Sequence, residues 1–69
     1  MFWNKQSLDK LRLKIGKRRG ENYPPISKGA LAKLCDVSPA TISRWYRSEP
    51  VGTRCATRLA ELWEGKVYA

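Results

Sequence analysis

The sequence predicts one small all-α domain of four helices, or five where the first frays at its internal glycine. Three observations carry that prediction. Apolar residues recur at helical spacing in every stretch between Gly and Pro marks, no stretch alternates as a strand would, and 69 residues admit only one core. A hydrophobic fraction of 42% suits a packed core and is too high for a disordered basic tail.

The first predicted helix lies within residues 4–20, where Leu8, Leu11 and Ile15 form one stripe and Lys and Arg fill the opposite face. Asn4 or Ser7 caps its start. With Asn4 as the cap, Trp3 and Leu8 occupy the two positions of a hydrophobic staple. Gly20 suits its end, and Gly16 is a point where it frays or stops. The stretch Glu21 to Ile26 holds paired prolines and reads as a connector. Ser27 then caps a helix of barely two turns whose inward residues are Leu31, Ala32, Leu34 and Cys35. Ser38 and Pro39 open a third helix, with a cap residue and a proline at the first helical position. Over residues 39–47 it turns Ile42, Trp45 and Tyr46 to one side and Ala40, Ser43, Arg44 and Arg47 to the other. Pro50 and Gly52 break the chain again. Thr53 is the expected cap of a fourth helix with Cys55, Ala56, Leu59, Leu62 and Trp63 on its apolar face, and Gly65 supplies a left-handed residue at its end.

Several chemistries lack their residues. No His is present, so no imidazole base or Cys/His zinc site can be assembled, and two cysteines cannot build a four-ligand zinc cage. Nothing pairs a nucleophile with a base, so neither an enzyme, a cofactor, a metal nor a small-molecule substrate is expected. No apolar run approaches a bilayer span and residues 1–6 lack a leader pattern, which reads as a cytoplasmic protein with no membrane partner. Cys35 and Cys55 then read as small hydrophobes in a reducing setting.

The formal charge of +8, with a pI near 10.0, calls for a polyanionic partner. Residues 1–20 are net +6, residues 21–43 net zero and residues 44–69 net +2. The cluster Lys17, Arg18 and Arg19, with a glycine on each side, reads as a phosphate clamp or as an arm that follows a DNA backbone.

Two short helices joined by a tight turn, the second with a free polar face, are what a major-groove reader needs. Crossing them demands a small residue at the contact, a left-handed residue in the turn and a branched apolar residue in the second helix. Ala32, Asp36 and Ile42 stand at those places. On these residues the stretch Ala30 to Trp45 resembles the helix-turn-helix of the Cro-like phage repressor superfamily, over residues 28–47. The resemblance implies a lambda-repressor-like domain, a transcriptional regulator of phage or mobile-element type, and a second helix that reads bases through Pro39, Ala40, Ser43, Arg44 and Arg47. It also implies double-stranded DNA as partner and a homodimer, in some cases only on DNA; the sequence shows no dedicated dimer face, and helix four or residues 66–69 are the candidates for one. The chain departs from the family's pattern with Asp36 where Gly is usual, with a longer connector holding two prolines, and with Pro39 in place of a polar base contact.

The residue chemistry agrees with a reader. Arg44 and Arg47 carry planar forks that match the O6 and N7 acceptors of guanine, Ser43 bonds to base edges or phosphate, and Ala40 offers a methyl to thymine. Ser27, Lys28 and Thr41 are expected on phosphates, near the starts of the two helices. Trp45 and Trp63 read as core residues ahead of stacking platforms for single strands. Two other readings stand beside this one: an accessory recombination, replication or packaging factor that bends DNA, and a basic adaptor or inhibitor bound to an acidic host protein.

Overall fold

The computed structural model describes residues 3–65. Four helices follow one another: α1 (Lys5–Lys17), α2 (Lys28–Cys35), α3 (Pro39–Tyr46) and α4 (Thr53–Glu64). No strand occurs among the described residues, so the all-α expectation holds. Among the described residues no helix is long and apolar enough to cross a membrane. The expected role of residues 66–69 in a dimer lies outside the described residues.

Local chemistry explains each start. The Asn4 side chain accepts from the Ser7 N–H at 2.9 Å while the Asn4 N–H donates to the Ser7 hydroxyl at 2.7 Å, so each side chain satisfies the other residue's orphan backbone donor. Trp3 and Leu8 are both buried, as a staple requires. Ser27 accepts from the Ala30 N–H at 3.0 Å and Ser38 from the Thr41 N–H at 3.4 Å, with Pro39 at the first position of α3. The start of α4 differs from expectation. Gly52 is its cap residue and makes no side-chain bond, while Thr53 is already helical and its carbonyl accepts the Thr57 hydroxyl at 3.0 Å.

The first helix includes Gly16 and ends one residue later at Lys17, so its stop falls next to Gly16 and short of Gly20. Its glycine is there for space: a Cβ at position 16 would sit 2.1 Å from the Pro24 carbonyl oxygen. The proline-bearing connector therefore passes directly over the last turns of α1. It is pinned by Ile26, which is buried and donates its N–H to the Arg12 carbonyl at 3.1 Å.

One core joins all four helices. Leu8, Leu11, Leu31, Ile42, Leu59 and Leu62 are fully buried, each contributing about 1.5 to 3 kcal/mol relative to exposure. The main packing partners are α2 with α3 and α1 with α4. Trp45 lies in the core, while Trp63 is half-buried and meets the edge of Trp3 with ring centroids 6.4 Å apart and planes at 72°.

Candidate nucleic-acid interface

The corner between α2 and α3 rests on Asp36, at φ 57° and ψ 46°. Its N–H bonds back to the Lys33 carbonyl at 3.2 Å and that of Val37 to the Ala32 carbonyl at 3.0 Å, the paired closure of a Schellman turn. Asp tolerates the left-handed region better than most side chains, which explains a non-glycine residue here. Ala32 and Ile42 are buried where the two helices cross. The chain thus reverses at Asp36 and Val37, and α3 leaves the corner with its Ile42 and Trp45 side in the core.

The other side of α3 faces out. Pro39, Ala40, Arg44 and Arg47 are exposed and Ser43 is half-buried. Among the described residues no carboxylate pairs with Arg44 or Arg47, whereas Arg12 pairs with Asp9 at 3.2 Å. Arg47 is the cap residue just after α3, and Ser48 follows at φ 75° in a second turn of the same type, its N–H bonded to the Trp45 carbonyl and that of Glu49 to the Arg44 carbonyl. These five residues therefore form one continuous, uncompensated surface on two turns of helix.

The residues expected on phosphates are differently placed. Ser27 is exposed and spends its hydroxyl on capping α2. Thr41 is half-buried with its hydroxyl 3.2 Å from that of Ser38. The Lys28 ammonium lies 4.2 Å from the centre of the Tyr46 ring, which holds a cation against the positive end of α2. Lys17 and Arg19 are exposed.

Arg18, expected in a phosphate clamp, is engaged within the fold. Its guanidinium reaches the end of α4, where Nη1 donates to the Leu62 carbonyl at 2.5 Å and Nη2 to the Trp63 carbonyl at 2.6 Å. The last carbonyls of a helix have no partner in the helix and carry its negative end, so a guanidinium is a fitting cap. Nor do residues 17–19 form a free arm. The Arg18 N–H bonds to Lys14 and Ile15, that of Arg19 to Gly16 and that of Gly20 to Lys17, so the segment is one ordered turn. Beside it the Lys14 ammonium stands 4.1 Å from the Trp63 ring centre.

One polar group was not legible in the sequence. The Tyr46 hydroxyl donates to Asp9 at 2.7 Å and accepts from Arg12 Nη1 at 3.2 Å, and Arg12 Nε donates to the Ile26 carbonyl at 2.8 Å. Burial, and then the bond to Asp9, push the Tyr46 phenol above its ordinary value, against the opposing pull of Arg12. Spacing on α1 already puts Asp9 beside Arg12, but 37 residues separate Asp9 from Tyr46 and no local pattern joins them.

The thiols also occupy defined places. Cys35 is buried, and burial together with nearby Cys55 pushes it up to about 11, with Arg58 acting in the opposite direction. Cys55 is half-buried and shares an open groove with Cys35, Arg54, Arg58 and Glu61. No group of three or more potential metal-ligating side chains occurs among the described residues. No protein-family model, curated protein or solved structure matches the chain.

Proposed function

We propose that this protein binds double-stranded DNA in a sequence-dependent manner as a small Cro-like transcriptional regulator, laying α3 in the major groove and acting by occupancy, without catalysis. One observation carries the reading: Arg44 and Arg47 project, without a carboxylate partner among the described residues, from the outward side of a two-turn helix whose other side is fixed in the core. Guanidinium forks left without a carboxylate are free to meet guanine edges, and Pro39, Ala40 and Ser43 extend the same surface. Affinity then comes chiefly from cations on phosphates, with Lys17, Arg19 and Lys28 supplying them and Ser27 and Thr41 lying at the helix starts. In this reading the protein works in the cytoplasm of its host, and two copies bind a pseudo-palindrome with half-sites about one helical turn apart.

Selection from random duplexes followed by footprinting tests the reading and returns site, symmetry and spacing together. On the selected duplex, Arg44→Ala is expected to cost about 1 to 3 kcal/mol and to relax base preference at one position. Unchanged affinity and preference in that variant reject reading by α3. A chain that enriches no duplex yet binds an acidic protein tightly turns the assignment to the adaptor class, for which its net charge of +8 is equally suited.

A further inference from the structure

We infer that Tyr46 is a positioning residue for the outward side of α3: its hydroxyl, held between Asp9 and Arg12 of α1, fixes the roll of α3 and thereby the direction in which Arg44 and Arg47 project. This rests on the reading of α3 as the element that meets the duplex, and it assigns base reading to a contact made away from DNA.

The brevity of α3 limits what packing alone can fix. Eight residues are seated through Ile42 and Trp45, and apolar contact is non-directional, so it sets depth better than rotation. Hydrogen bonds are directional. Tyr46 ends α3 and is surrounded on three sides: Asp9 Oδ1 at 2.7 Å, Arg12 Nη1 at 3.2 Å, and the Lys28 ammonium 4.2 Å from the ring centre. Arg12 is itself fixed, with Nη1 on Asp9 at 3.2 Å and Nε on the Ile26 carbonyl at 2.8 Å, while the Ile26 N–H returns to the Arg12 carbonyl at 3.1 Å. One phenol thus ties the last turn of α3 to α1, to the connector and to the first residue of α2.

A small roll matters at the DNA surface. About 10° of rotation displaces a guanidinium lying roughly 8 Å from the helix axis by more than 1 Å, and a bidentate base contact tolerates only about half that. Arg47 is the next residue and Ser43 is one turn before, so the tether acts on the reading residues directly. Half-burial of the phenol and the accepting Asp9 keep its proton in place, so it remains a donor at neutral pH.

Three variants test the inference. Tyr46→Phe keeps the ring beneath Lys28 and removes the hydroxyl. Asp9→Ala opens the network from an exposed position that does not endanger the core, and Asp9→Asn changes charge equally but retains an acceptor oxygen. Residual dipolar couplings of the free protein report the orientation of α3 against α1 and α4. They are expected to shift or scatter across residues 39–47 in Tyr46→Phe and Asp9→Ala, and to stay as in the parent in Asp9→Asn.

At a temperature where every variant is folded, the preference for a selected duplex over an unrelated one is expected to fall about tenfold in the first two variants. Asp9→Asn should keep the preference, and Tyr46→Phe should bind the unrelated duplex within about twofold of the parent. A merely structural role would weaken both duplexes together. Couplings unchanged in Tyr46→Phe and Asp9→Ala overturn the inference, and so do couplings that move while the preference stays constant. The parent protein is measured first: if it prefers no duplex, the DNA reading itself fails, and that failure is seen before any variant is compared.

Discussion

At position 36 an aspartate holds φ 57°, and at position 48 a serine holds φ 75°. Left-handed backbone costs an L side chain about 1 kcal/mol or more, and glycine escapes that cost. Asp36→Gly and Ser48→Gly are therefore each expected to stabilise the fold by about 1 kcal/mol, read as a raised urea midpoint at constant m-value. A lowered midpoint would mean that the side chain at that position makes a contact worth more than the strain. Arg18 presents the reverse case, a side chain that supplies what the backbone lacks. Arg18→Gln removes the charged donors from the Leu62 and Trp63 carbonyls and is expected to cost about 1 to 2 kcal/mol, discounted because the group is partly exposed. Lys17→Gln and Arg19→Gln on either side should leave thermal stability nearly unchanged, since both residues are exposed.

Helices α1 and α2 each contain one glycine, and the two serve opposite ends. Gly16 of α1 is buried, and a methyl there collides with backbone of the connector at Pro24, which has no flexible end to yield. Gly29 of α2 is exposed, and a methyl there would meet nothing closer than the Ser27 hydroxyl oxygen at 3.9 Å. Gly16→Ala is accordingly expected to cost about 2 to 3 kcal/mol through displacement of the connector, whereas Gly29→Ala gains up to about 1 kcal/mol of helix propensity. Chemical denaturation of both variants checks the pair. Equal effects would mean that the connector is free to move away from α1. The same comparison bears on the candidate interface, because the connector delivers Ile26 to Arg12 and so anchors the network around Tyr46.

For the molecule as a whole, the buried thiol sets a pH response. Cys35 ionises at about 11 in the folded protein against 9.0 for an unburied thiol. Between those values the unfolded chain loses its proton and the folded one keeps it, so the unfolded state binds fewer protons and stability falls as pH rises. The contribution is fully present below pH 9.0 and is lost as pH climbs through about 11. Tyr46 is raised above 10.0 and adds to the same decline with the same sign. Urea midpoints taken from pH 7 to 11 should therefore drop on the alkaline side. Cys35→Ala should start lower, by the cavity it leaves, and descend less steeply. In the native protein at pH 8, alkylation should label Cys55, which lines an open groove, well before Cys35. Equal labelling would indicate that the end of α2 opens readily.

The spacing of Leu8, Leu11 and Ile15, the caps Asn4, Ser27 and Ser38, Pro39 at a helix start and Gly65 at a helix end are local facts, so the sequence alone determined four helices and the side of α3 that turns outward. Asp36 in the turn was legible for the same reason, because few side chains accept that backbone. Local pattern misplaced what depends on distant neighbours. Gly16 looks like a weak point in a helix until Pro24 is laid over it. Arg18 looks like a free cation until the end of α4 arrives beneath it. Tyr46 looks like one more core residue until Asp9, 37 positions away, meets its hydroxyl. Helix formation answers to residues three and four apart, whereas the partner of a long polar side chain is set by how whole helices pack, and only the tertiary structure decides that.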